Sequence, residues 1–146
     1  MKTFTIEEAQ SLLPVLESLL KRAIEGKREA EQVETGLSEL ARRVSNSGGM
    51  RVDVANVAKL RADMEAHMQR VRESIAEIDS IGVQVKDIEN GLLDFPCSMD
   101  GQLVLLCWRM GETTIDHWHT MESGFQGRQP LDDRFRRRTS SGGRPN

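Results

Sequence analysis

From Leu16 onward the apolar residues recur at alternating intervals of three and four: Leu16, Leu19, Ala23, Gly26, Ala30, Val33, Leu37, Leu40 and Val44. Such spacing keeps a single stripe on one side of a helix and is the pattern of a coiled-coil seam. Ala23, Gly26 and Ala30, in the middle of the stripe, allow a partner helix to approach closely. A second stripe reads Val54, Val57, Leu60, Met64, Met68, Val71, Ile75 and Ile78. It predicts a helix from about Val52 to about Ile81, ended by Gly82. Between the two, Ser45-Asn46-Ser47-Gly48-Gly49 turns the chain. Helices of about 30 residues are roughly 45 Å long at ~1.5 Å per residue. Matched lengths and a short connection imply an antiparallel hairpin.

The first helix announces its start. Thr5-x-x-Glu8 has the form of a capping box, with Phe4 placed to staple onto Ala9. Pro14 lacks an amide hydrogen and biases Leu13 away from helix, which predicts a short helix to about residue 12 and a restart with Pro14 in its first turn.

After Gly82 the apolar period changes to two. Val83 to Ile88 alternates like a strand, and Asn90-Gly91 is a strong hairpin signal. Leu92 to Phe95 reads as a second strand, stopped by Pro96. Asp100-Gly101 marks another turn before a buried-type strand from Gln102 to Trp108, and Thr114 to His119 is a candidate fourth. The fold class expected is α+β: a long antiparallel helical hairpin followed by a small three- to four-stranded antiparallel sheet. Residues 1–132 are expected to form one domain, with the hairpin over 5–81, a β-meander over 83–120 and a loop over 121–132. Residues 133–146, with no apolar periodicity, are expected to be a disordered basic tail that stability does not need. Strands of about six residues span only ~20 Å, too little to cover a helix pair of ~45 Å. The distal half of the hairpin, near Val33 to Val57, is therefore expected to pair with a second copy.

Composition narrows the function classes. At 146 residues the chain has room for one ordinary core. Its longest apolar run, Leu103 to Trp108, is far below the ~20 residues of a membrane span, and the N-terminus has no signal-peptide pattern. Two cysteines are too few for a disulfide scaffold, and a cytoplasmic location is expected. Net charge is −3, but all five bases and no acid of residues 134–146 lie in the tail, so the remainder carries −8. An acidic body argues against nucleic acid as a partner and opposes contact of the Arg-rich tail with RNA or anionic lipid. Residues 81–133 hold nine acids against three bases, together with His117 and His119, a mixture better suited to a cation than to an anion.

Imidazole and carboxylates are the usual mixed ligands of zinc, manganese and iron. Glu112 and His119, with Asp94 as third ligand and Glu122 as its substitute, are the candidate metal site. The bland reading is that Glu112 caps a turn, Asp94 bonds backbone amides and His119 is a hydrogen-bonded core histidine. His117 and His119 also share one strand face, a weaker paired-ligand signal. Trp108, Trp118 and Arg128 form a candidate wall for a flat or anionic ligand, although aromatics in a small sheet are more often core. Cys107 reads as a small core hydrophobe, and Cys97 has no visible activating base.

Lys86-Asp87, Gly91-Leu92, Asp94-Phe95-Pro96, Cys107-Trp108, Gly111-Glu112, Trp118-His119, Gly124-Phe125 and Gly127-Arg128-Gln129-Pro130 together form a specific pattern. With Phe4-Thr5, Glu8-Ala9 and Leu13-Pro14 it resembles the bacterial and archaeal domain of unknown function 2203, over residues 4 to 131. The resemblance implies identity and no mechanism. His117 lies outside the pattern, which leaves His119 the better candidate.

Two functions remain open. The first is a dimeric interaction or scaffold module built on the hairpin, with a protein partner and no membrane. The second is a divalent-metal-binding protein, zinc being one such metal and hydrolysis one such use, centred on Glu112 and His119. The placement of the specific motif in the sheet region favours the second, but no nucleophile or general base can be placed, so the interaction module is the function expected and metal binding its alternative.

Overall fold

The computed structural model describes residues 2–46, 48 and 54–135. These comprise helix α1 (Ile6–Asn46), helix α2 (Val54–Ile81) and strands β1 (Gln84–Asp87), β2 (Leu92–Met99), β3 (Gln102–Arg109), β4 (His117–His119) and β5 (Gln129–Pro130). Two long packed helices followed by an antiparallel sheet match the α+β fold expected. Most of the expected interhelix turn, the start of the second helix at Val52 and the tail beyond Phe135 lie outside the described residues. The chain divides into two compact units, one of Lys21–Ser74 and the other of the residues up to Leu20 with those from Ile75 onward.

In the Lys21–Ser74 unit the two helices pack antiparallel, with a close approach at Gly26. A Cβ there would lie 2.9 Å from Val71 Cγ2 and 3.0 Å from the His67 carbonyl oxygen, so only glycine admits this spacing. The partner helix offers His67, whose Nδ1 is 2.9 Å from Glu29 Oε2, and Arg70, which donates to the same carboxylate at 3.4 Å. Ala23, Ala30 and Val71 are buried, whereas Val33, Leu37, Leu40 and Val44 further along the seam are only part-covered.

In the other unit, α1 begins as its capping box requires. Thr5 N–H donates to Glu8 Oε1 at 2.9 Å and Glu8 N–H donates to Thr5 Oγ1 at 3.1 Å. The restart expected at Pro14 does not occur, because the helix runs through it unbroken. An internal proline costs about 3 kcal/mol. Burial of Leu13, Leu16, Leu19 and Leu20 around it, at ~1.5–3 kcal/mol per side chain, outweighs that cost.

The sheet has five strands in the order β1-β2-β3-β4-β5, each antiparallel to its neighbour. β5 lies in the segment expected to be loop. It pairs Pro130 with His117 and Gln129 with Trp118. The tightest turn is Asp100-Gly101, where φ is 49° and 78°. Two positive φ values in succession are what a two-residue hairpin needs. Asn90-Gly91 instead closes a longer turn. Asp87 Oδ1 and Oδ2 accept from Asn90 N and Nδ2 at 3.1 and 2.7 Å, and the β1–β2 register shifts between Val85 and Asp87.

Pro96 was expected to stop β2 but sits within it, opposite Leu105. The Pro96 carbonyl accepts from Phe4 N–H at 2.7 Å. The N and O of one strand residue point to the same side, so the side of Pro96 that lacks a donor faces away from β3. This is the edge placement at which a strand tolerates proline.

Two residues of the expected tail, Arg134 and Phe135, make defined contacts with Trp118. Phe135 is 2% exposed and its ring lies 5.5 Å from Trp118, while the Arg134 guanidinium is 5.6 Å from the same indole. We predict that Phe135→Ala lowers unfolding free energy by about 3–5 kcal/mol, as buried aromatic truncations do. Urea denaturation checks this, and an unchanged midpoint would restore the tail boundary at residue 133.

Candidate metal centre

The Asp100-Gly101 turn pairs Met99 with Gln102 and, along the same ladder, Asp94 with Cys107; the next ladder pairs Cys107 with His117 and Leu105 with His119. Paired residues share a face and alternate residues return to it. Asp94, Cys107, His117 and His119 therefore stand on one face of the sheet. Leu93, Phe95, Leu106, Trp108 and Trp118 stand on the other.

Asp94, Cys107 and His119 converge there, each offering one donor atom within 4.8 Å of the others. All three are buried, between 1% and 3% exposed. His119 Nδ1 is 2.8 Å from the Thr120 carbonyl oxygen. A carbonyl only accepts, so Nδ1 carries a hydrogen. Nε2 then faces the Asp94 carboxylate at 3.1 and 3.0 Å. In the neutral ring with hydrogen on Nδ1, a lone pair on Nε2 would confront oxygen lone pairs. That arrangement is stable only with a positive species between them, either a proton or a metal ion.

Burial, followed by the negative charge of Asp94, pushes the Cys107 thiol up from 9.0 to about 11, with hydrogen bonding from Arg128 opposing. Cys107 is therefore a thiol at neutral pH unless a metal displaces its proton. Both ring nitrogens of His119 are already engaged, Nδ1 by the Thr120 carbonyl and Nε2 by the Asp94 carboxylate.

Of the three metal ligands expected from sequence, Asp94 and His119 meet and Glu112 stands beside them with a different partner. Glu112 Oε2 accepts from Arg128 Nη2 at 3.0 Å, and Oε1 accepts from Arg128 Nη1 at 3.4 Å and from Arg109 N–H at 2.7 Å. Arg128 also lies 4.6 Å over the Phe125 ring. His117 Nδ1 is 3.9 Å from Glu112 Oε2, beyond hydrogen-bond reach. Glu122 is exposed.

The expected aromatic wall is not assembled. Trp108 has no exposed surface, and its indole N–H donates to the Glu112 carbonyl at 2.9 Å. Trp118 packs on Phe135 across the sheet from Arg128.

Cys107 is the residue that sequence reasoning missed. A two-residue turn at Asp100-Gly101 determines every β2–β3 pair, so placing Cys107 opposite Asp94 was open to anyone who extended the hairpin.

A family model for "Uncharacterized conserved protein (DUF2203)" matches residues 2–131. The chain belongs to that family. No curated protein and no solved structure matches it.

Because the folded-state thiol of Cys107 titrates above its ordinary value, the folded state holds its proton longer than the unfolded state does. The contribution to stability is complete below pH 9 and is lost as pH rises toward about 11. Metal-free protein is expected to lose melting temperature across that window, and Cys107→Ala is expected to flatten the decline. An equal decline in the variant would assign it to other groups.

Proposed function

We propose that the protein binds a divalent transition metal through Asp94, Cys107 and His119, and that zinc is the metal its donor chemistry suits best. The observation that carries this reading is the His119 ring, whose Nδ1 is committed to the Thr120 carbonyl while Nε2 faces a buried carboxylate. A histidine that ligates through one nitrogen and donates to a carbonyl through the other is the usual arrangement at metal sites. One thiolate, one imidazole and one carboxylate match the ligand preferences of zinc. With bonds of ~2.0–2.3 Å, a tetrahedral ion would hold its donors roughly 3.3–3.7 Å apart. The present span of up to 4.8 Å asks for shifts of about an ångström. Cys107 takes the place that the sequence assigned to Glu112, and near-complete burial of the donors favours holding the ion over hydrolysis.

We predict that zinc stabilises the untagged protein and that each ion bound releases the Cys107 proton. Calorimetry in buffers of different ionisation enthalpy measures that release. His119→Ala and Cys107→Ala should abolish the stabilisation, whereas His117→Ala should keep most of it. Wild-type protein without zinc-dependent stabilisation would identify Asp94 and His119 as a structural pair that shares a proton.

The hairpin supports a second role, as a homodimeric interaction module. Its motivation is the part-covered run Val33, Leu37, Leu40 and Val44 beside Val57, Leu60 and Met64. Pairing of two copies there would complete the burial of the seam. Light scattering is expected to give twice the chain mass at micromolar concentration, and Leu37→Ala with Leu40→Ala is expected to lower it. A wild-type monomer at high micromolar concentration would end this reading. Both roles suit a reducing compartment such as the cytoplasm, where Cys97 and Cys107, neither of which is in a disulfide, stay reduced. No helix among the described residues is long and apolar enough to cross a membrane.

A further inference from the structure

We propose that Ser123 is a positioning residue of the metal centre: it fixes the Thr120 carbonyl to which His119 Nδ1 donates, and so keeps the other ring nitrogen turned to the metal. This role rests on the metal-binding reading above and gives a function to the loop between β4 and β5.

The His119 ring is pinned at two points. Nε2 faces the Asp94 carboxylate at 3.1 and 3.0 Å, and Nδ1 donates to the Thr120 carbonyl at 2.8 Å. Thr120 is the first residue beyond β4, where the pairing with β3 has ended. The direction of its carbonyl is therefore set by the turn that Thr120 opens. There Thr120 N–H donates to Ser123 Oγ at 3.2 Å and Ser123 N–H donates to Thr120 Oγ1 at 3.1 Å. Each residue holds the amide of the other, the reciprocal arrangement of a capping box. A third bond, from the Thr120 hydroxyl to Ser123 Oγ at 3.0 Å, ties the two side chains together.

Ser123 can take this position because Gly127 leaves it room. A Cβ at Gly127 would lie 2.5 Å from Ser123 Cβ and 2.9 Å from Ser123 Oγ, so a larger residue would push Ser123 away. Gly127 N–H donates to the Gly124 carbonyl at 3.0 Å. Two residues further on, β5 begins and pairs with the strand that carries His119. The chain from Thr120 to Gln129 is thus anchored on β4 at both ends, with Ser123 packed against Gly127 inside it.

A proton on Nδ1 leaves the Nε2 lone pair free for a metal. The group that accepts this proton orients the ligating ring, and loss of such outer partners commonly weakens metal binding by about 10–100-fold. Ser123 acts one bond further out, through Thr120, which puts its effect at the lower end, about 10-fold. Ser123 is exposed, so in the metal-free protein water replaces a missing hydroxyl and stability barely changes.

The test is cobalt(II) titration of the full-length, untagged protein, followed by the visible absorption of the bound ion. Wild type is expected to bind. Ser123→Ala and Thr120→Val each remove one hydroxyl and should bind about 10-fold more weakly, with the melting temperature of the metal-free protein unchanged within error. Thr120→Ser keeps the hydroxyl and should bind as wild type does. Gly127→Ala drives Ser123 off Thr120 and should weaken binding in the same direction. In zinc-loaded protein with isotope-labelled histidine nitrogens, magnetic resonance should show the His119 Nδ1 proton exchanging with water faster in Ser123→Ala than in wild type. A role in folding alone would not produce that difference. Should Ser123→Ala fail to fold, the comparison of Thr120→Val with Thr120→Ser decides. Wild-type affinity in Ser123→Ala and Thr120→Val, or an equal loss in Thr120→Ser, overturns the role of Ser123 and leaves metal binding standing. Wild-type protein that takes up no cobalt overturns the metal-binding reading and this inference with it.

Discussion

The β2–β3 hairpin imposes a register on the sheet, and the candidate centre exists only in that register. Asp100 and Gly101 both take positive φ, which leaves two residues in the turn and places Asp94 across from Cys107. Side chains alternate between faces along a strand, so a slip of one residue would send Asp94 to the face of Phe95 and Trp108. A carboxylate would then be buried among aromatic side chains with no partner, at a cost of several kcal/mol. The apolar residues of the opposite face resist the same slip, because Leu93, Phe95, Leu106 and Trp108 are fully buried where they stand. Register, core and polar cluster are thus different expressions of one pairing.

Within that register, the sheet buries an imidazole, a carboxylate and a thiol together. Burial of ionisable groups is costly unless their charges are matched and their hydrogen bonds are made. Each side chain here has a defined answer. His119 donates to Thr120, Asp94 faces His119 Nε2, and Cys107 keeps its proton. Arg128 is balanced by Glu112, which keeps an arginine near the trio without an unpaired charge. The positive species that must lie between Asp94 and Nε2 is where folding and ligand binding meet. A proton makes the cluster a structural ion pair, and a metal makes it a centre.

The helical hairpin is organised by a different constraint, the size of a side chain. Gly26 has no atom to place between the helices, and Val71 Cγ2 and the His67 carbonyl take the space that a Cβ would need. Ala23 and Ala30 on either side are buried for the same reason. Further along the seam the larger Val33, Leu37, Leu40 and Val44 are less completely covered. One stripe of sequence thus divides into a part closed within the chain and a part whose apolar surface remains available.

Periodicity is a local property, and the sequence carried it in full. The seam residues lie in α1, the switch from a period near 3.5 to a period of two marks the change from helix to sheet, and the capping box opens α1 where its spacing says. Asp94 and His119 were legible as candidate ligands because carboxylate and imidazole carry that chemistry wherever they occur. Residues whose meaning depends on a neighbour from another strand were not legible in isolation. Pro14 and Pro96 read as breaks, but burial around one and a strand side outside the β2–β3 ladder at the other absorb the missing donor. Cys107 read as core packing until the hairpin set it across from Asp94. Glu112 read as a ligand until Arg128, sixteen positions away in sequence, claimed its carboxylate. Phe135 read as tail because it stands among arginines with no apolar periodicity, and Trp118 gives its ring a partner. Local spacing decides which residues share a helix side or a strand face. Only the packing of one strand against the next decides which of them meet, because that choice depends on pairings and burial that no stretch of chain contains by itself.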